Sequence, residues 1–154
     1  MLDFVPSGDR VAYNTPKEIN REIENRTDDS VFYHAAYPHQ IDQRLHELEG
    51  EWDIERYLEA NASTLMLVGT ALGATTDRRW LLLPGAVAAF LLQHAVQGWC
   101  PPVSVFRRLG VRTRREIQRE RYALRALRGD FDGLKDLPTS PPARATAVLM
   151  TLDD

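Results

Sequence analysis

The sequence predicts an all-α protein: a two-helix transmembrane hairpin flanked by an N-terminal helical segment and a basic amphipathic juxtamembrane helix. Three observations lead there. Charge is sorted along the chain, with 14 acidic and 6 basic side chains in residues 1–60 and nine arginines against Glu116 and Glu120 in residues 107–128. Between those blocks, residues 61–106 carry only Asp77, Arg78 and Arg79. The uncharged stretches beside that triplet, residues 61–76 and 80–106, are 16 and 27 residues long. A helix crossing a hydrocarbon core of about 30 Å needs roughly 17–25 mostly apolar residues. The averages over 154 residues (net charge −3, 27% charged, mean hydropathy −0.36) resemble those of an ordinary soluble domain and conceal this sorting. They exclude a collagen, a disulfide scaffold and a mostly disordered chain, and one cysteine cannot form an internal disulfide. Residues 1–6 lack a basic stretch followed by an apolar run, so no secretory signal peptide is expected.

Thr15-Pro16-Lys17-Glu18 opens the first helix, with a hydroxyl cap, proline at the first helical position and an acid in the first turn. That helix is expected to reach about Arg26, with Ile19 and Ile23 on one face. Residues 27–40, containing His34, Pro38 and His39, read as a loop or broken helix. From Ile41 a second helix rises through Leu45, Leu48 and Trp52 to Ile54, Tyr57 and Leu58. It is expected to continue into the first apolar run with a kink near Gly50. That run is short for a span, since 16 positions at about 1.5 Å each reach only about 24 Å, so it needs Tyr57, Leu58 and Ala60 or local bilayer thinning. The second run meets the length requirement from Trp80 to about Trp99, and the two tryptophans bracket it as interfacial anchors would.

Gly98-Trp99-Cys100-Pro101-Pro102 ends that helix, because prolines remove donors and disfavour helical geometry in the preceding residue. Leu109-Gly110 marks a turn. Thr113-Arg114-Arg115-Glu116 has the capping-box pattern. The basic helix it starts is expected to run to Arg128, with Gly129 as its stop. Ile117, Ala123, Leu124 and Leu127 would share one face, flanked by Arg121, Arg125 and Arg128. Residues 138–154, rich in Pro, Thr, Ser and Ala, read as a flexible tail. Arginines enrich cytoplasmic flanks, so the basic block places both termini in the cytoplasm.

The segments Glu51-Trp52-Asp53-Ile54-Glu55-Arg56, Asp77-Arg78-Arg79-Trp80-Leu81-Leu82-Leu83-Pro84, Gln93-His94-Ala95-Val96-Gln97-Gly98-Trp99-Cys100-Pro101-Pro102 and Arg107-Arg108-Leu109-Gly110 together resemble the YgaP-like inner-membrane transmembrane domain family, a bacterial family of unknown function. The resemblance covers about residues 45–131. It implies a short hairpin in the bacterial inner (plasma) membrane, often self-associating, with no assigned catalytic residues. Some relatives fuse such a hairpin to a rhodanese sulfurtransferase domain. No cysteine-centred loop of that kind exists in residues 1–60, so the resemblance does not extend to that activity. The expected organisation is an acidic segment over residues 1–44, the hairpin domain with its basic helix over 45–131, and a tail over 132–154.

Candidate sites are few. Gly69 and Gly73 are four apart, the spacing that lets helix backbones approach closely, either within the chain or between two copies. Gln93, His94 and Gln97 are the polar members of the second run, where helix-to-helix hydrogen bonding or interfacial solvation is the expected role. Cys100 is a candidate thiol: a packing residue under the proline turn, or a sulfur-handling group if Arg107 and Arg108 lower its pKa. The basic block (Arg107, Arg108, Arg112, Arg114, Arg115, Arg121, Arg125, Arg128) is expected to meet anionic lipid headgroups. With only Tyr122 among those arginines, nucleic acid is not an expected partner. No phosphate loop, nucleophile elbow or metal spacing is present, so no cofactor, metal or catalytic residue is expected. The chain thus reads as a non-enzymatic membrane module that associates with itself or a membrane partner. Its rivals are a soluble helical interaction protein with a buried hairpin and a sulfur-handling protein using Cys100.

Overall fold

The computed structural model describes residues 5–133 and 140–153, and among them all regular structure is helical. The chain forms two compact units: the described residues up to Arg26 with Glu51–Ile117, and Thr27–Gly50 with the described residues from Gln118 onward.

In the first unit, α1 (Arg10–Tyr13) precedes α2 (Lys17–Ala36), whose first turns belong here. The Pro16 carbonyl accepts from the Ile19 and Asn20 amides. The Thr15 hydroxyl does not cap α2; it donates to the Val11 carbonyl at 2.7 Å and accepts from Arg107 Nε. α4 (Ile54–Thr75) is a new helix rather than the kinked continuation expected from Ile41: Asp53 caps it by accepting from the Arg56 amide at 2.9 Å. The Ile54 amide donates outside its own helix, to the Arg112 carbonyl.

α4 is followed by a 3₁₀ turn, Arg78–Leu81, capped by Asp77, and by α5 (Leu82–Gln97). The pair is antiparallel, since Gly69 lies against Leu83 and Pro84, Gly73 against Leu81, and Glu55 against His94. Thr64, Thr70 and Thr75 of α4 each donate to the carbonyl four residues back. Among the described residues one helix, Arg78–Gln97, is long and apolar enough to cross a membrane; α4, whose first turns hold Glu55, Arg56 and Glu59, does not meet that standard.

Gly98, at φ 72°, ends α5 in the left-handed conformation that suits glycine, and a Cβ there would meet Arg10 Cβ at 2.3 Å. The two prolines then do more than stop a helix. They occupy the first positions of α6 (Pro101–Arg108), where a missing N–H costs nothing. The core of this unit lies at the open end of the helix pair, where Val11, Ile54, Leu58, Cys100 and Val103 are buried together, with Phe106 and Val111 against them.

In the second unit, the rest of α2 is helical where the sequence suggested a loop or broken helix over residues 27–40. Thr27 and His34 are buried at helical spacing from Ile23, so the inward stripe continues with polar residues. After a 3₁₀ turn at Pro38–Gln40, α3 (Ile41–Gly50) buries Ile41, Leu45 and Leu48. α7 (Arg114–Arg128) starts on the expected capping box: the Thr113 amide donates to Glu116 at 2.7 Å and the Glu116 amide to the Thr113 hydroxyl. It stops at Gly129, with φ 93°. Its inward face differs from the expected one. Ile117, Glu120, Leu124 and Arg125 are buried, Ala123 is half-buried and Leu127 is exposed. Pro141–Asp153, within the stretch read from composition as a flexible tail, forms the helix α8.

Candidate functional site

The two glycines singled out from spacing are contact points of α4 on α5. A Cβ at Gly69 would stand 2.6 Å from Pro84 Cδ, and one at Gly73 would stand 2.6 Å from Leu81 Cδ2. Small residues are therefore required for the approach, and both glycines are covered by the chain's own α5.

At the opposite end of the pair, His94 Nε2 lies 2.8 Å from a Glu55 carboxylate oxygen. His94 is 9% exposed, and its Nδ1 has no hydrogen-bond partner among the described residues. Gln93 is half-buried and Gln97 exposed, and neither side chain joins the pair. Arg10 stands beside them, its Nη1 donating to the Ala95 and Val96 carbonyls at the end of α5. Cations stabilise helix C-termini in this way. Arg10, Glu55 and His94 line a cavity of about 450 Å³ together with Glu59, Leu58 and Leu91. Sequence reasoning found His94 but missed Arg10, Glu55 and Glu59. The available signal was register, because an antiparallel hairpin turning at Asp77 must bring the first turn of α4 to the last turn of α5.

Aromatic side chains gather at the same end. Trp52 and Tyr57 rings are 5.4 Å apart, Tyr57 and Phe106 5.6 Å, and the Arg56 guanidinium lies 4.3 Å over Trp52. Trp99 is partly exposed and donates to the Ser104 hydroxyl, while Trp80 is partly exposed at the turn end.

Cys100 is 2% exposed, within the apolar core. Burial pushes its thiol pKa up, the opposite of the activation a sulfur-handling role requires. Arg107 supplies it with no electropositive setting, because that guanidinium is itself buried and engaged elsewhere.

The basic block requires a correction. Arg107, Arg112 and Arg125 cannot reach lipid headgroups, being buried and paired inside their units. Arg107 donates to both Glu116 oxygens at 2.7 Å, to Asn20 Oδ1 and to the Val111 carbonyl. Arg112 holds Glu51, with Nε at 2.8 Å, and Arg125 holds Asp130 at 2.8 Å. Arg115 pairs with Asp9, Arg121 with Glu49 and Arg128 with Asp42 and Asp130. Arg119, outside the expected set, pairs with Asp28, and Glu120 is fully buried under Ser30 and Arg44. The acids of the N-terminal block are the partners of the basic helix. Arg108 and Arg114 are exposed and have no acidic partner among the described residues.

Burial of Glu116 opposes its charge, but Arg107 and Thr113 outweigh that and hold its carboxyl below the usual carboxylate range. Arg128 draws the Asp130 carboxyl down to about 2. His34 is buried, with Nδ1 2.7 Å from the Ser30 carbonyl, while His39 and His46 are exposed. Among the described residues, no group of three His, Cys, Asp or Glu side chains could hold a metal ion. No family model, curated protein or solved structure matches the chain.

Proposed function

We propose that the chain is a small, non-enzymatic protein of a bacterial inner membrane, in which α4 and α5 form a membrane-embedded hairpin that associates with itself or with a membrane partner. One observation carries this reading: the apolar sides of the pair are uncovered. Leu67 is 72% exposed, Leu82 77% and Leu92 67%. A hairpin buried in a soluble bundle would hide these side chains, whereas lipid rewards their exposure. The intrahelical bonds of Thr64, Thr70 and Thr75 support it, because a hydroxyl in hydrocarbon needs a partner. So do the aromatic side chains at both ends.

The family proposed for residues 45–131 is the YgaP-like one, on the motifs quoted above. Headgroup contact is kept for the exposed Arg108 and Arg114. Because Gly69 and Gly73 are covered by α5, an association face would lie on the uncovered apolar side of the pair. Alkaline carbonate washing of membranes tests the reading. The protein is expected to stay in the pellet, and its release would refute the integral assignment in favour of a peripheral or soluble one.

A further inference from the structure

We propose that the cavity beside His94 binds the phosphoethanolamine headgroup of a membrane lipid. The inference rests on the bilayer reading above, which sets this end of the hairpin among headgroups. At about 450 Å³ the cavity has the size of a small-ligand site. Its polar lining carries both signs of charge, as a zwitterion requires.

Arg10 supplies the positive side. Among the described residues only its Nη1 is engaged, on the Ala95 and Val96 carbonyls, so Nε and Nη2 are left to donate to a phosphate. The negative side comes from α4. Glu55 and Glu59 lie four residues apart on one helical face; Glu55 uses a single oxygen on His94, and Glu59 has no partner among the described residues. His94 lines the same cavity and engages one oxygen of Glu55, which leaves the second Glu55 oxygen and both oxygens of Glu59 as acceptors. A primary ammonium brings three N–H donors to this set of acceptors. A trimethylammonium brings none. Leu58 and Leu91 complete the lining and belong to the helices whose apolar sides would accompany acyl chains.

The test uses the full chain purified in detergent, with lipid retention measured by native mass spectrometry. Short-chain phosphatidylethanolamine is expected to be held about tenfold more tightly than phosphatidylcholine or phosphatidylglycerol, the scale of one charge-assisted hydrogen bond. Glu59→Gln, at an exposed position with no partner among the described residues, is expected to lower that retention about tenfold, and Arg10→Gln to lower it further. Equal retention of the three lipids, or an unchanged value in Glu59→Gln, would overturn the site. Soluble phosphoethanolamine is expected to compete poorly, and competition as effective as the lipid's would overturn the lipid source. A protein that resists carbonate washing but shows no headgroup preference loses this site alone. One released by carbonate loses the membrane reading first.

Discussion

A guanidinium removed from water costs several kcal/mol unless its donors are matched and its charge is paired. Arg107 meets both conditions, through two bonds to Glu116 and further bonds to Thr15, Asn20 and the Val111 carbonyl. It also ties α6 to the start of α7 and to the residues before α2. Arg107→Met is therefore expected to destabilise the protein by about 3–5 kcal/mol in chemical denaturation, because Glu116 is left half-buried without its partner. A pH dependence follows from the same pair. The folded carboxyl of Glu116 titrates below its ordinary value of 4.5, so its contribution is present above that pH and is lost as pH falls through the lower folded value. Stability measured from pH 6 down to 3 is expected to fall more steeply in the wild type than in Glu116→Gln. Equal slopes would refute the assignment. None of this was legible in the sequence, where Arg107 reads as one member of a solvated basic run. Partners 87 and 92 residues away leave no local signal.

Elements with local chemistry were legible. The Thr113 capping box, the Gly98, Gly110 and Gly129 stops and the apolar run of α5 stand where spacing and residue type put them, because each depends on neighbours within four residues. Two expectations failed where local apolar pattern is a poor guide. α2 continues past Arg26 because Thr27 and His34 fill inward positions that pattern reading reserves for apolar side chains. α3 and α4 are separate because Asp53 caps a new helix, and the extended φ/ψ it adopts breaks the one before. The helix pair gives a prediction of opposite signs. Gly69→Ala drives a methyl group into Pro84 and is expected to lower stability by about 1–3 kcal/mol. Gly85→Ala meets open space in a helix and is expected to raise it by about 0.5–1 kcal/mol. Thermal denaturation in one detergent compares the two, and a shift of the same sign in both would refute the close approach of α4 to α5.

Across the whole chain, the sorted charge has two meanings that composition cannot separate. The acidic and basic blocks satisfy each other within each unit, through Arg112 on Glu51, Arg115 on Asp9, Arg121 on Glu49 and Arg128 on Asp42. The arginines flanking the pair that have no acidic partner among the described residues are Arg78 and Arg79 at the turn, against Arg10 and Arg56 at the opposite end and Arg108 and Arg114 beyond α5. The proposed orientation is expected to survive this weaker asymmetry. In a Cys100→Ala background, Arg114→Cys should be shielded from an impermeant maleimide in intact spheroplasts and Arg79→Cys should react. The reverse pattern would invert the topology. The threonines of α4 bear on how such a pair is made. Each hydroxyl is satisfied by the helix's own carbonyls, so in a bilayer the second half of α4 needs no neighbour to be complete. Its two glycines offer the groove into which Leu81 and Pro84 settle, so the contact that completes the pair is made by backbone on one side and by side chains on the other.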